Sequence, residues 1–121
     1  MGTRILLGLV LCIVLSACYQ PERDCKSFKT GDFTFEYTVN GEKKVSSFTR
    51  TDAYSIERYD NKVDTATVRW LNDCEFILNP SDQKTPIHYK ILSTTKNSYL
   101  FEYGIVGKSQ KSKGTAVKTK Q

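Results

Sequence analysis

The chain has 121 residues, 39% hydrophobic and 26% charged, which is enough apolar material for one small core and too much for a disordered segment. Its net charge of +5 is unevenly spread: residues 18–121 hold 17 Lys plus Arg against 13 Asp plus Glu, and the last fourteen hold five lysines and no acid, leaving 12 against 13 over 18–107. A nearly neutral body beside one basic segment excludes the broad cationic face that nucleic-acid binding requires.

Residues 1–17 have the features of a secretory signal peptide. Arg4 gives a short cationic start, Ile5 to Leu15 form an apolar run of eleven, and Ser16 and Ala17 supply small residues at its end. Eleven apolar residues are too few to cross a hydrocarbon core, which takes roughly 20. The run ends in Leu15-Ser16-Ala17-Cys18, which resembles the lipobox of bacterial lipoproteins. That resemblance implies cleavage between Ala17 and Cys18, a diacylglycerol thioether on Cys18, and an N-acyl chain such as palmitate on the same residue. Each buried methylene contributes about 0.8 kcal/mol and firm attachment takes more than one chain, so such an anchor would hold the protein to a membrane. Tyr19 stands where an aspartate favours inner-membrane retention in enterobacterial lipoproteins. The resemblance therefore implies the outer membrane, with the protein facing the periplasm or the cell surface.

Residues 18–30 are then the anchor and a short tether leading into the domain. Cys12 leaves with the signal peptide and Cys18 carries lipid, so Cys25 and Cys74 remain as thiols, and in an oxidising envelope two such thiols pair. A bridge between them closes a loop of about 50 residues, worth roughly 4 kcal/mol through loop-closure entropy. A metal site is not expected, because His88 is the only histidine and no Cys-x-x-Cys is present.

From residue 31 to 121 the pattern has period two, with no sustained helical period. In "DFTFEYTVNGEKKVSSFTR", Phe33, Phe35, Tyr37 and Val39 share one face, and Asn40-Gly41 offers the positive backbone angles of a tight hairpin. Asp60-Asn61 predicts a second hairpin between "AYSIERY" and "KVDTATVRW", where Ala66, Val68 and Trp70 fall on one face. Asn72-Asp73 interrupts the run before "CEFIL", and "PSDQKTP" is a loop bounded by prolines. Ile87, Tyr89 and Ile91 alternate in the next strand, followed after Lys96-Asn97 by Tyr99, Phe101, Tyr103 and Ile105. A last strand around Thr115 to Lys118 completes about eight. The fold class is therefore all-β: an antiparallel meander closing into a small lipocalin-like barrel or a sandwich. Its aromatic interior serves either as a filled core or as a small-ligand cavity.

The body also resembles a family of small lipoproteins of unknown function from Gram-negative bacteria, through "CKSFKTGDFTFEY", "RWLNDCEFIL", "PIHYKILSTTKNSYLFEY" and the final "KGTA". Some members of that family carry a topoisomerase label, which an exported start and the 104 residues from 18 to 121 contradict. The plan of lipobox, disulfide and small β-barrel is also similar to the membrane-bound lysozyme inhibitors, but a near-neutral body complements a strongly basic lysozyme poorly.

No nucleophile motif, phosphate-cradling glycine loop or His-Glu-x-x-His appears, so neither an enzyme nor a cofactor is expected. His88 is out of phase with Ile87, Tyr89 and Ile91 and is expected on the outer face. Paired carboxylates across strands, such as Glu36 with Glu57 or Glu102, read as solvated charges. In "RWLNDCEF", Trp70 is expected beside the bridge at a structural corner. The lysines Lys108, Lys111, Lys113, Lys118 and Lys120 suit either contact with anionic headgroups or protection of a terminal strand. The expected role is binding or structural, with the membrane as one partner and an envelope protein as another.

Overall fold

The computed structural model describes residues 23–81 and 85–120. A short 3-10 helix, Cys25–Phe28, precedes eight strands: β1 (Gly31–Val39), β2 (Glu42–Arg50), β3 (Tyr54–Tyr59), β4 (Lys62–Asn72), β5 (Glu75–Pro80), β6 (Ile87–Thr94), β7 (Ser98–Ile105) and β8 (Ser112–Lys120). Each strand pairs antiparallel with the next, and β8 returns to β1, closing a barrel rather than a sandwich. Closure leaves no sheet edge open to another chain.

Local chemistry sets this register. Asn40 and Gly41 have φ of 51° and 78°, and Asp60 and Asn61 have 46° and 62°. Positive angles at both central residues match the strand twist in two-residue hairpins, so Val39 stands opposite Glu42 and Tyr59 opposite Lys62. These two turns share one end of the barrel with the connections β5–β6 and β7–β8. The opposite end carries the 3-10 helix, the turns β2–β3, β4–β5 and β6–β7, the start of β1 and the finish of β8. Register shifts at Trp70/Asn72, Ile91/Ser93 and Asp32/Phe33 all fall near that second end. Bulges of this kind bend strands and increase the local twist.

That end is plugged. Phe28 is 1% exposed and packs with Phe33, Phe48, Ile91, Tyr99, Phe101 and Ala116 in one cluster. Cys25 is bonded to Cys74 in the β4–β5 turn, with the Cα atoms 5.2 Å apart. Two long-range bonds complete the seal: the Asp24 amide donates to Thr94 Oγ1 at 2.8 Å, and Lys118 Nζ donates to the Ser27 carbonyl at 2.7 Å. The last described part of the lead-in segment is thus built into the barrel.

β8 is longer than the sequence pattern predicts, running over 112–120 instead of 115–118. Its extent comes from backbone pairing on both sides, from Ser112 opposite Tyr103 to Lys120 opposite Asp32. Among its described side chains, only Ala116 is fully buried, so apolar alternation could not mark its limits. Gly114 is required by packing: a Cβ there would lie 2.8 Å from the Phe101 ring.

Candidate functional site

Alternation along the strands sends one set of side chains into the barrel. Near the plug these fill the space, but toward the open end they leave two adjoining cavities. The outer one, of about 160 Å³, lies between β3, β4, β5 and β6 and is lined by Glu57, Tyr59, Asp64, Ala66, Leu78 and Tyr89 among others. The inner one, of about 80 Å³, has Arg50 at its floor and Phe35, Phe76, Phe101 and Tyr103 in its walls. Glu57, Leu78 and Tyr89 line both. The aromatic interior is therefore a filled core at one end and a small chamber at the other.

The walls are ordered by ring stacking. Phe76 and Tyr89 lie parallel with centroids 5.0 Å apart, Tyr89 and Tyr103 follow at 5.6 Å, and Trp70 stands 4.6 Å from Phe76. Such offset aromatic pairs contribute about 0.5–1.5 kcal/mol each beyond area burial. This row crosses β4, β5, β6 and β7, so it fixes the chamber wall across four strands.

The polar groups at the mouth are carboxylates. Glu57 and Asp64 stand opposite each other in the β3–β4 register, and both line the outer cavity. Burial, and then repulsion from Asp64, raise the Glu57 carboxyl above the ordinary glutamate range. Asp64 accepts a hydrogen bond from the Tyr59 hydroxyl through Oδ2. Burial, with the Glu57 charge as the next cause, pushes the Tyr89 phenol well above its ordinary value.

At the chamber floor, Arg50 is 3% exposed, and no carboxylate among the described residues pairs with it. Its guanidinium donates to the Phe28 carbonyl at 2.5 Å, the Lys29 carbonyl at 2.9 Å and the Tyr99 hydroxyl at 3.2 Å. Its Cζ lies 4.7–5.7 Å from the ring centroids of Phe33, Phe48, Trp70, Phe76 and Tyr99. Planar spread charge and a fork of donors suit arginine to this environment. The residue thus clasps the 3-10 helix to the barrel. Sequence reasoning did not single it out, although its phase with Ser46 and Phe48 in "VSSFTR" places it on the inward face.

Cys25 and Cys74 form the expected bridge, while Ala17 and Cys18 lie outside the described residues. The five lysines do not form one patch. Lys108 and Lys111 are exposed in the β7–β8 connection, and Lys113 is exposed on β8 opposite Glu102. Lys118 sits at the plugged end against Ser27, 5.9 Å from the Phe28 ring centroid, and the Lys120 backbone pairs with Asp32. Lys118 is therefore occupied in holding the plug.

His88 is on the outer face, 3.1 Å from Glu75 Oε1. Of the carboxylates read as solvated, Glu36 is on the outside with Lys43 at 3.5 Å and Glu102 is on the outward phase of β7, whereas Glu57 is withdrawn into the barrel opposite Asp64. Trp70 does stand at a corner. There Lys29 Nζ lies 4.9 Å over its ring and 2.9 Å from Asp73, while Asn72 Oδ1 accepts the Cys74 amide at 2.9 Å.

Among the described residues, no three His, Cys, Asp or Glu side chains stand together as metal ligands, and no helix is long and apolar enough to cross a membrane. Compared with known proteins, the chain matches no family model, no curated protein and no solved structure.

Proposed function

We propose that this is a lipid-anchored protein of the bacterial envelope that presents a disulfide-locked β-barrel as a binding module and is not an enzyme. The supporting observation is the polarity of the barrel. The chain enters at the plugged end, beside the Cys25–Cys74 bridge, and the chamber opens at the other end. A lipid on Cys18, seven residues before Cys25, would hold the plugged end within roughly 25 Å of the membrane even with the tether fully extended. The mouth would then point away from the lipid surface, toward whatever the envelope presents.

Replacing Cys18 tests the anchor. Cys18→Ala should abolish incorporation of labelled palmitate and leave unprocessed precursor; label retained in the variant would refute the assignment. Crosslinking in intact envelopes tests the binding role. Capture of one defined partner through residues at the open rim supports it, and crosslinks confined to the plugged end count against it.

A further inference from the structure

We propose that the open-end chamber binds a small organic cation, with its ammonium group between the Glu57 and Asp64 carboxylates and its apolar body against Leu78 and the rings of Tyr89 and Tyr103. This rests on reading the barrel as a binding module and is independent of the lipid anchor.

Size comes first. An apolar cavity of about 150 Å³ accommodates benzene, and the outer cavity alone measures about 160 Å³, with the inner one of about 80 Å³ beyond it. A ligand of one ring or a short branched chain therefore fits.

Charge comes second. Glu57 and Asp64 both line the outer cavity, and no lysine or arginine among the described residues lines it with them. Burial and the Asp64 charge both penalise the ionised Glu57 carboxyl, and an ammonium in the cavity supplies the opposite charge and N–H donors. The charged and titratable groups that line the two cavities with Glu57 are Tyr59 on β3, which donates to Asp64, Asp64 on β4, Tyr89 on β6, Tyr99 and Tyr103 on β7, and Arg50 on β2. Arg50 is the only cation among them, and its guanidinium is already engaged by the Phe28 and Lys29 carbonyls.

Ligand class follows from the remaining walls. The tyrosine and phenylalanine faces attract a cation through their quadrupoles, whereas a carboxylate or phosphate would have to pass two like charges at the mouth. A bare divalent metal would find only two carboxylates and no third ligand among the described residues.

The test uses the full chain in detergent, titrated separately with benzylammonium, benzyl alcohol and benzoate while the aromatic NMR signals of Tyr89 and Tyr103 are followed. Benzylammonium is expected to saturate and to shift both tyrosines, with the alcohol and the acid at least about tenfold weaker, the equivalent of one charged hydrogen bond. Glu57→Gln with Asp64→Asn should weaken benzylammonium by a similar factor while thermal unfolding shows the variant folded. If that double variant does not fold, Glu57→Gln alone carries the same expectation. Equal binding of all three probes would overturn the cation assignment and leave the binding module standing. No saturation by benzylammonium at millimolar concentration would overturn it as well, and rim crosslinking then decides the binding role separately.

Discussion

Arg50 is a buried cation held by carbonyls and ring faces instead of a carboxylate, and its stabilising role depends on geometry more than on charge. Arg50→Lys keeps the charge but cannot donate in three directions at once, so a loss of about 1–3 kcal/mol is expected in urea unfolding. Arg50→Ala leaves the Phe28 and Lys29 carbonyls unpaired and opens a cavity, and should cost more than Arg50→Lys. Glu57 works in the opposite sense. Its folded-state value lies above the ordinary 4.5, so its ionised form destabilises the fold. That cost is absent below the ordinary value and sets in as the pH rises through the raised one. Glu57→Gln should therefore raise stability at neutral pH, and the gain should vanish in acid, as thermal unfolding across that range will register. A residue that weakens its own fold is a common mark of a binding site. Of these two, the phase of Arg50 was legible in "VSSFTR", but its burial was not, because an arginine at a strand end is ordinarily solvated. The Glu57–Asp64 pairing follows from the two-residue turn at Asp60-Asn61, but the withdrawal of Glu57 into the barrel was not legible, because a strand carboxylate is ordinarily solvated.

At the level of elements, β8 and the 3-10 helix each join parts distant in sequence. β8 closes the barrel between β7 and β1, so removing residues 108–121 is expected to expose both edges. The result should be aggregation and loss of cooperative unfolding in size-exclusion and calorimetric measurements, not simply a change in surface charge. The bridge fixes the 3-10 helix across a sequence separation of 49. Replacing Cys25 and Cys74 together by serine should lower stability by about 4 kcal/mol, and Phe28 should then gain hydrogen exchange. The hairpins were plain in the sequence because Asn-Gly and Asp-Asn favour the backbone angles that such turns require. The full span of β8 was not, since its pairing is carried by main chain and its side chains are mostly polar. The 3-10 helix was also not evident: four residues carry no period, and they are fixed by the bridge and by docking against Thr94, Arg50 and Lys118.

In the whole molecule, an even number of strands in simple succession brings the beginning of β1 and the end of β8 to the same side. Strand count and alternation were visible in the sequence, but they suit a barrel or a sandwich alike, and neither the closure nor the uneven filling could be read from them. Bulges near one end and large rings in phase produce a packed base and a hollow rim, and neither property belongs to any single segment. The position of the base also bears on handling the protein: a label fused after β8 should leave the rim unobstructed, and titrations with the probes above should be unchanged by it.

The plug has a consequence for exchange. A barrel sealed at one end is a cup and not a pipe, so a solute that enters has to depart by the rim through which it came. Passage from one face of the domain to the other is closed to it while the Cys25–Cys74 bond is intact. Arrival and release are then controlled by the same few side chains, and a substitution at the rim should change both rates together.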